Sequence, residues 1–244
     1  MQQRLPSRLD PPITFGHRGA RAHARENTLE SFALALRLGA TGLESDVWLT
    51  AEGIAVLDHD GVVKRGLRRH PIKTIERADL PAHIPTLDEL FDACGTDYDL
   101  SLDLKDPDAG ETVCGVVRNR DPSLLGRTWL CDEDFERCLE LRSKLPDIKL
   151  VNTTRVPKMT EGPERRAAAA AAAGLDAINM HRTEWNGGLV ALFHRFELYA
   201  FGWDMQMHHQ LQSAFRMGLD AVYSDHVDLM QDLFAEEVGG HPAP

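Results

Sequence analysis

The sequence predicts an α/β protein folded as a (β/α)8 TIM barrel, with a β-hairpin excursion after strand 2 and a short insertion. Three observations carry this. Short apolar strands alternate with helical patterns along the chain. One interval breaks the alternation: only four residues separate Leu49 from Ile54. A parallel crossover needs a dozen or more, so these two strands form an antiparallel hairpin. With the hairpin arm set aside, eight β-then-α units remain in 244 residues, and such barrels run to ~250. The competing fold is an open doubly wound sheet, but no Gly-x-Gly-x-x-Gly turn follows any strand. No domain boundary is visible. Residues 1–244 read as one barrel domain, with residues 61–84 as a basic, irregular insertion.

Ile13–Gly16 forms the first strand. Leu29, Phe32, Ala33 and Leu36 then fall on one helical face; Asn27 with Glu30 reads as its capping box and Gly39 as its stop. Leu43–Leu49 is a strand, 50–53 a turn and Ile54–Leu57 the returning arm. After the insertion, Leu87, Leu90, Phe91 and Cys94 repeat the helical spacing, capped by Thr86 and Glu89. Strands follow near 100–104, 128–131, 148–151, 177–179, 198–202 and 221–223. Helices lie near 111–119, 134–145, 163–173, 184–194, 205–218 and after Asp225. The 163–173 helix holds seven consecutive alanines and stops at Gly174.

Composition narrows the function. The net charge is −11, which disfavours non-specific nucleic-acid binding because duplex phosphates attract Lys and Arg. Aromatics at 7% are too sparse for a stacking platform. Cys94, Cys114, Cys131 and Cys138 form no C-x-x-C pair and no zinc pattern, so a reduced, cytoplasmic setting is expected. The N-terminal residues lack a signal-peptide h-region, and no run of ~18 apolar residues exists to span a membrane. No stable membrane anchor is expected, and the oligomeric state is left open.

In such barrels the active site lies at the C-terminal ends of the strands. Strand one ends in Gly16-His17-Arg18-Gly19, strand two carries Glu44 and Asp46, the hairpin arm ends in Asp58-His59-Asp60, and the next barrel strand carries Asp103 and Lys105. Period two puts Glu44 and Asp46 on one strand face. Two like charges there repel unless a cation lies between them. Folding the hairpin about Glu52 sets Asp46 opposite Asp58 and returns His59 to the carboxylates. Asp103, one or two strands around, closes a site of three carboxylates. Oxygen ligands alone suit one hard divalent cation, Mg2+ or Ca2+, better than zinc.

Several runs carry a resemblance: Gly16-His17-Arg18-Gly19-Ala20, Glu26-Asn27-Thr28-Leu29-Glu30-Ser31-Phe32, Gly42-Leu43-Glu44-Ser45-Asp46-Val47 and Val56-Leu57-Asp58-His59-Asp60. Together with Ile84-Pro85-Thr86-Leu87-Asp88-Glu89 and Ala221-Val222-Tyr223-Ser224-Asp225, they resemble the glycerophosphodiester phosphodiesterase family, whose barrel is like that of the phosphatidylinositol phosphodiesterases. The likeness covers nearly the whole chain and is weakest between residues 110 and 195. It implies a metal-dependent phosphodiesterase that hydrolyses glycerophosphodiesters to glycerol 3-phosphate and an alcohol. The family's general acid and base carry over to His17 and His59, its metal ligands to Glu44, Asp46 and Asp103, and its phosphate-contacting cations to Arg18 and Lys105.

Elementary chemistry agrees with that carry-over. A divalent cation with Arg and Lys offsets the charge of a pentacoordinate transition state. Two histidines can take a proton from the attacking oxygen and give one to the leaving oxygen. The attacking oxygen is either the neighbouring glycerol hydroxyl or water.

The chain departs from the family pattern at two places. The third ligand position is usually Glu in this family and here is Asp103, which resembles the related sphingomyelinase D-like phospholipases and leaves a lysophospholipase D or sphingomyelinase D-like phosphodiesterase as the alternative. Near strand eight, Gly202-Trp203-Asp204-Met205 replaces the usual run. Trp203 can line the pocket against glycerol carbons, and Asp204 reads as a helix N-cap. Asn152, Asn179, His181 and His23 are weaker candidates for substrate contact. Lys64, Arg65, Arg68 and Arg69 can draw an anionic substrate toward the insertion. A non-catalytic phosphate-binding module is the remaining alternative; it would be expected to have lost a histidine or a carboxylate, and none is missing.

Overall fold

The computed structural model describes residues 4–66 and 68–239. In chain order its elements are β1 (Ile13–Gly16), α1 (Leu29–Arg37), β2 (Gly42–Leu49), β3 (Ala55–Leu57), β4 (Val62–Arg65), β5 (Arg68–Pro71), α2 (Leu87–Cys94), β6 (Asp99–Leu104) and α3 (Ala109–Arg120). Then follow β7 (Thr128–Asp132), α4 (Phe135–Lys144), β8 (Lys149–Thr154), α5 (Pro163–Ala172), β9 (Ala177–His181), α6 (Gly187–Arg195), β10 (Tyr199–Trp203), α7 (His208–Met217), β11 (Ala221–Ser224) and α8 (Val227–Val238).

Eight strands pair in parallel in the order β1, β2, β6, β7, β8, β9, β10, β11, and β11 returns to β1. The sheet is therefore a closed (β/α)8 barrel. Its seam is asymmetric: β1 pairs with β11 along four residues but with β2 only at Phe15↔Gly42 and Gly16↔Leu43. Glycine at 42 is required, because a Cβ there would lie 2.5 Å from the Phe15 ring.

Side-chain alternation sorts the barrel into two apolar layers. Ile13, Phe15, Trp129, Cys131, Val151, Ala177, Phe201, Ala221 and Tyr223 fill the interior. A larger layer, including Leu43, Val47, Leu100, Leu102, Leu130 and Leu150, packs outward against Phe32, Leu90, Val113, Phe193 and Phe215 of the helices. The interior set falls on odd residues, whereas in β2 the inward positions are even, Glu44 and Asp46. The apolar floor ends where these carboxylates begin.

The hairpin has the expected register. β3 runs antiparallel to β2 with Val47↔Leu57, and Asp58 N donates to Asp46 O at 3.0 Å. The remaining strands and helices lie where periodicity put them, with ends shifted by a few residues.

Three local expectations are corrected. The stretch 61–84 is not irregular: β4 and β5 form an antiparallel hairpin, followed by short 3-10 turns at Ile72–Thr74 and Arg77–Asp79, packed on a small cluster of Val56, Val63, Ile72, Ile75, Leu80 and Ile84. Helix α1 is capped by Thr28, which accepts from Ser31 N at 3.2 Å, rather than by Asn27 with Glu30. Asn27 has φ 53° and turns into the barrel mouth instead. Asp204 caps no helix. Its φ is 66° and its carboxylate pairs with His181 and Arg182, while α7 starts four residues later with Gln210 accepting from Met207 N at 3.0 Å.

Candidate active site

The C-terminal ends of the strands open into a cavity of about 380 Å3, lined by His17, Arg18, Arg21, Glu44, Asp46, His59, Asp103, Lys105, Glu133, Thr153, Asn179, Trp203, Asp204, Gln206, Tyr223 and Asp225. All eight residues singled out from the sequence are among them: His17, Arg18, Glu44, Asp46, His59, Asp103, Lys105 and Trp203.

The carboxylates sit on neighbouring strands. Asp46 and Asp103 are direct partners in the β2–β6 register. One oxygen each from Glu44, Asp46 and Asp103 can be chosen so that all lie within 4.8 Å of one another. Glu44 and Asp46 are 5% and 1% exposed, so their charge must be offset inside the protein. Lys105 Nζ lies 3.2 Å from both Asp46 and Asp103. Arg18 Nε lies 3.2 Å from Asp46 Oδ2, and the Arg18 backbone N–H donates to Glu44 Oε2 at 2.9 Å. That amide faces inward because Arg18 has φ 51°, the left-handed region that bulky residues seldom occupy.

Asn27 completes the cradle. Its Nδ2 donates to Asp46 Oδ2 at 3.3 Å while its Oδ1 accepts from Ser45 Oγ at 2.7 Å. Glu26 accepts from Arg18 at 3.0 Å and pairs with Arg21 at 2.5 Å.

Electrostatics follow from this crowding. Burial pushes the Glu44 carboxyl up to about 7; Asp46 and Asp103 add to the shift, and His17 and Arg18 oppose it. Burial also raises Asp103, against the pull of Lys105. Lys105 is itself buried, which works against its charge, yet Asp103 and Asp46 hold it well above the usual lysine range. Three carboxylates this close together suit a hard divalent cation, since every donor is an oxygen and like charges at this spacing repel.

The two histidines are held differently. His17 Nδ1 lies 2.5 Å from Asp225 Oδ1, and its Nε2 is 3.8 Å from Glu44 Oε2. Burial pulls His17 down, but Glu44 and Asp225 reverse this and leave it above the ordinary histidine value. His59 is more exposed, at the end of the hairpin arm, with Nδ1 2.9 Å from Asp60 Oδ1. It also lines a second cavity of about 320 Å3, shared with Arg25, Asp58, Asp60, Lys64 and His83.

Trp203 forms part of the opposite wall. The His181 ring meets it edge-on with centroids 4.6 Å apart, and the Arg155 guanidinium sits 5.4 Å from its centroid. Among the weaker candidates, Asn179 lines the cavity. Asn152 is spent on the Asp132 carbonyl at 3.1 Å. His181 bonds Asp204 at 3.0 Å, and His23 bonds Asp228 at 2.9 Å. Of the insertion's cations, Lys64 lines the second cavity, while Arg65 donates to the Asp79 carbonyl at 2.8 Å.

Asp225 and Asn27 touch site residues, although sequence reasoning gave neither a role there. A signal for Asp225 existed: 221 and 223 point inward, so 225 does too.

Comparison with known proteins shows what the chain resembles. A glycerophosphodiester phosphodiesterase of Caldanaerobacter subterraneus subsp. tengcongensis is 31% identical over 109 residues, covering 38% of this chain and 45% of that protein. The match thus spans less than half of that relative's length. A glycerophosphodiester phosphodiesterase of Bacillus subtilis is 23% identical over 257 residues, covering 90% of this chain and 85% of that protein. Among solved structures, the Thermotoga maritima glycerophosphodiester phosphodiesterase superposes with a TM-score of 0.78 at 23% identity, covering 91% and 98% of the two chains. An Oleispira antarctica phosphodiesterase in complex with the product sn-glycerol-3-phosphate gives 0.79 at 21% identity, covering 91% and 96%. The glycerophosphoryl diester phosphodiesterase family itself matches residues 17–229. That span runs from His17 past Asp225 and takes in every residue of the carboxylate cradle, and the chain belongs to this family of enzymes.

Proposed function

We propose that this chain hydrolyses glycerophosphodiesters to glycerol 3-phosphate and an alcohol. The observation that carries the reading is the convergence on one cavity of His17, His59, Glu44, Asp46, Asp103, Arg18 and Lys105. The Oleispira relative, bound to sn-glycerol-3-phosphate, supports the identity of the product.

Glu44, Asp46 and Asp103 would hold one divalent cation, Mg2+ or Ca2+. Bound there, it supplies Lewis-acid polarisation of a phosphoryl oxygen and relieves the carboxylates' mutual repulsion. Arg18 and Lys105 provide fixed positive charge where the phosphate's charge grows in the transition state. Because Asp225 accepts from Nδ1, neutral His17 keeps its proton there and leaves Nε2 free to receive one. His59 has the same pattern with Asp60. The pair can therefore remove a proton from the attacking hydroxyl or water and return one to the leaving alcohol.

Trp203 gives an apolar wall suited to glycerol carbons. Beyond phosphorus, the cavity that His59 shares with Lys64 has room for the alcohol, so the leaving-group side should be tolerant. The test compares kcat/KM for glycerophosphocholine and lysophosphatidylcholine, the latter below its micelle threshold, with glycerol 3-phosphate as the readout for the first. Preference for glycerophosphocholine supports the proposal. Preference for the acylated substrate overturns it in favour of a lysophospholipase D-like activity, toward which Asp103 points.

A further inference from the structure

A second group of ligating side chains lies outside the cavity. His23, on the turn after β1, and His226 and Asp228, at the start of α8, each offer one atom within 4.8 Å of the others. The catalytic reading uses none of them. His23 Nε2 is 2.9 Å from Asp228 Oδ1, and the His23 and His226 rings stand edge to face with centroids 6.3 Å apart. All three residues are exposed, so an ion could enter directly and water could fill its remaining positions.

The donor chemistry contrasts with that of the carboxylate cradle. Two imidazoles and one carboxylate match a borderline divalent ion such as zinc, whereas all-oxygen donors match Mg2+ or Ca2+. We infer that His23, His226 and Asp228 form a separate site for a borderline transition-metal ion, represented here by zinc.

The placement gives such a site a mechanical meaning. The turn bearing His23 is continuous with His17, Arg18 and Arg21, and α8 begins two residues after Asp225. The two segments already touch: Ala22 N donates to Asp225 O at 3.1 Å, and Arg21 Nη1 lies 3.4 Å from Asp225 Oδ2. An ion ligated from both sides would replace the single His23–Asp228 hydrogen bond with a clamp across the join between the first and last units of the barrel. By linkage, it would stabilise the folded chain.

The test is a zinc titration by calorimetry of chelator-stripped full-length protein, with Mg2+ in excess to occupy the oxygen site, alongside melting curves with and without zinc. Wild type should take up one zinc equivalent and melt higher with zinc. His23→Gln, His226→Gln and Asp228→Asn should each lose that uptake and that rise, while Asp46→Asn retains both. The metal-free variants should melt near wild type, which shows that they fold. No zinc uptake by wild type, uptake that survives in His226→Gln, or loss only in Asp46→Asn overturns the inference. The readout is binding, so it stands apart from whether glycerophosphodiesters are the substrate.

Discussion

His17 and Asp225 are 208 residues apart in sequence, yet their side chains meet at 2.5 Å where the first and last barrel strands close. The aspartate holds the imidazole by Nδ1 and turns Nε2 toward Glu44. His59, by contrast, is held by its own neighbour, Asp60, at the rim.

Asp225→Asn should therefore lower kcat with little change in KM, because it loosens the orientation and tautomer of His17 without touching Arg18 or Lys105. The loss should not exceed the ~10²–10⁴-fold expected for removing a general acid–base catalyst, as in His17→Ala. Steady-state kinetics of both variants check the order. An Asp225→Asn enzyme as fast as wild type would remove the aspartate from the mechanism.

Stripped of metal, the protein should be more stable near pH 6 than near pH 8. The Glu44 carboxyl is raised to about 7, mainly by burial, so the folded state keeps a proton that the unfolded chain has released. Stability falls as pH rises through that window. His17 is also raised, so its contribution is present below the unfolded value of 6.5 and is lost as pH climbs through the folded one. Both signs agree. Melting curves in excess chelator should show the drop, and added Mg2+ or Ca2+ should flatten it. A stripped protein with equal or greater stability at pH 8 would contradict these signs.

Asp103→Asn should weaken divalent-cation affinity sharply, since it removes a ligand charge while leaving Lys105 facing Asp46. Asp103→Glu should retain binding with a changed ion preference, because its extra methylene carries the carboxylate further into the site. Calorimetry with Mg2+ and with Ca2+ distinguishes the two variants, and an Asp103→Asn protein with wild-type affinity would exclude Asp103 as a ligand.

Asn27→Leu should destabilise the fold and impair metal binding together. The change strips a donor from Asp46 and leaves the buried Ser45 hydroxyl without its acceptor, at a cost of about 1–3 kcal/mol for an unsatisfied buried group. Denaturant unfolding and cation titration should both shift. A shift in neither would show that Asp46 is positioned adequately by Arg18 and Lys105.

Much of this site could be read from the sequence because strands obey a period of two and the hairpin is short. Four residues between Leu49 and Ile54 leave one way to fold back, so the meeting of Asp46 with Asp58, and hence the return of His59, followed from counting. Glu44, Asp46, Asp103 and His17 shared strand ends for the same reason. Asp225 had the right parity and a closed barrel sets its strand beside the first, but a lone carboxylate just past a strand end carries no local mark of its partner. Asn27 was misread because asparagine before a helix usually caps it. Thr28 could serve equally, and the adjacent Asp46 needed the amide more. Asp204 was misread likewise, since pairing with His181 and Arg182 across the barrel rim leaves no trace in the nearby residues. The β4–β5 hairpin was hidden by its charge, since its strands carry Lys64, Arg65, Arg68 and Arg69 in place of an alternating apolar face.

The closure of β1 on β11 also bears on how the protein is made. As the chain leaves the ribosome, His17, Arg18 and the β2 carboxylates emerge well before residues 221–225. Until then the first strand lacks its longer pairing edge, Phe15 lacks the stacked Tyr223 ring 4.7 Å away, and His17 lacks Asp225. A nascent polypeptide that has exposed most of its candidate catalytic groups should thus still be inert, and activity should switch on when β11 docks.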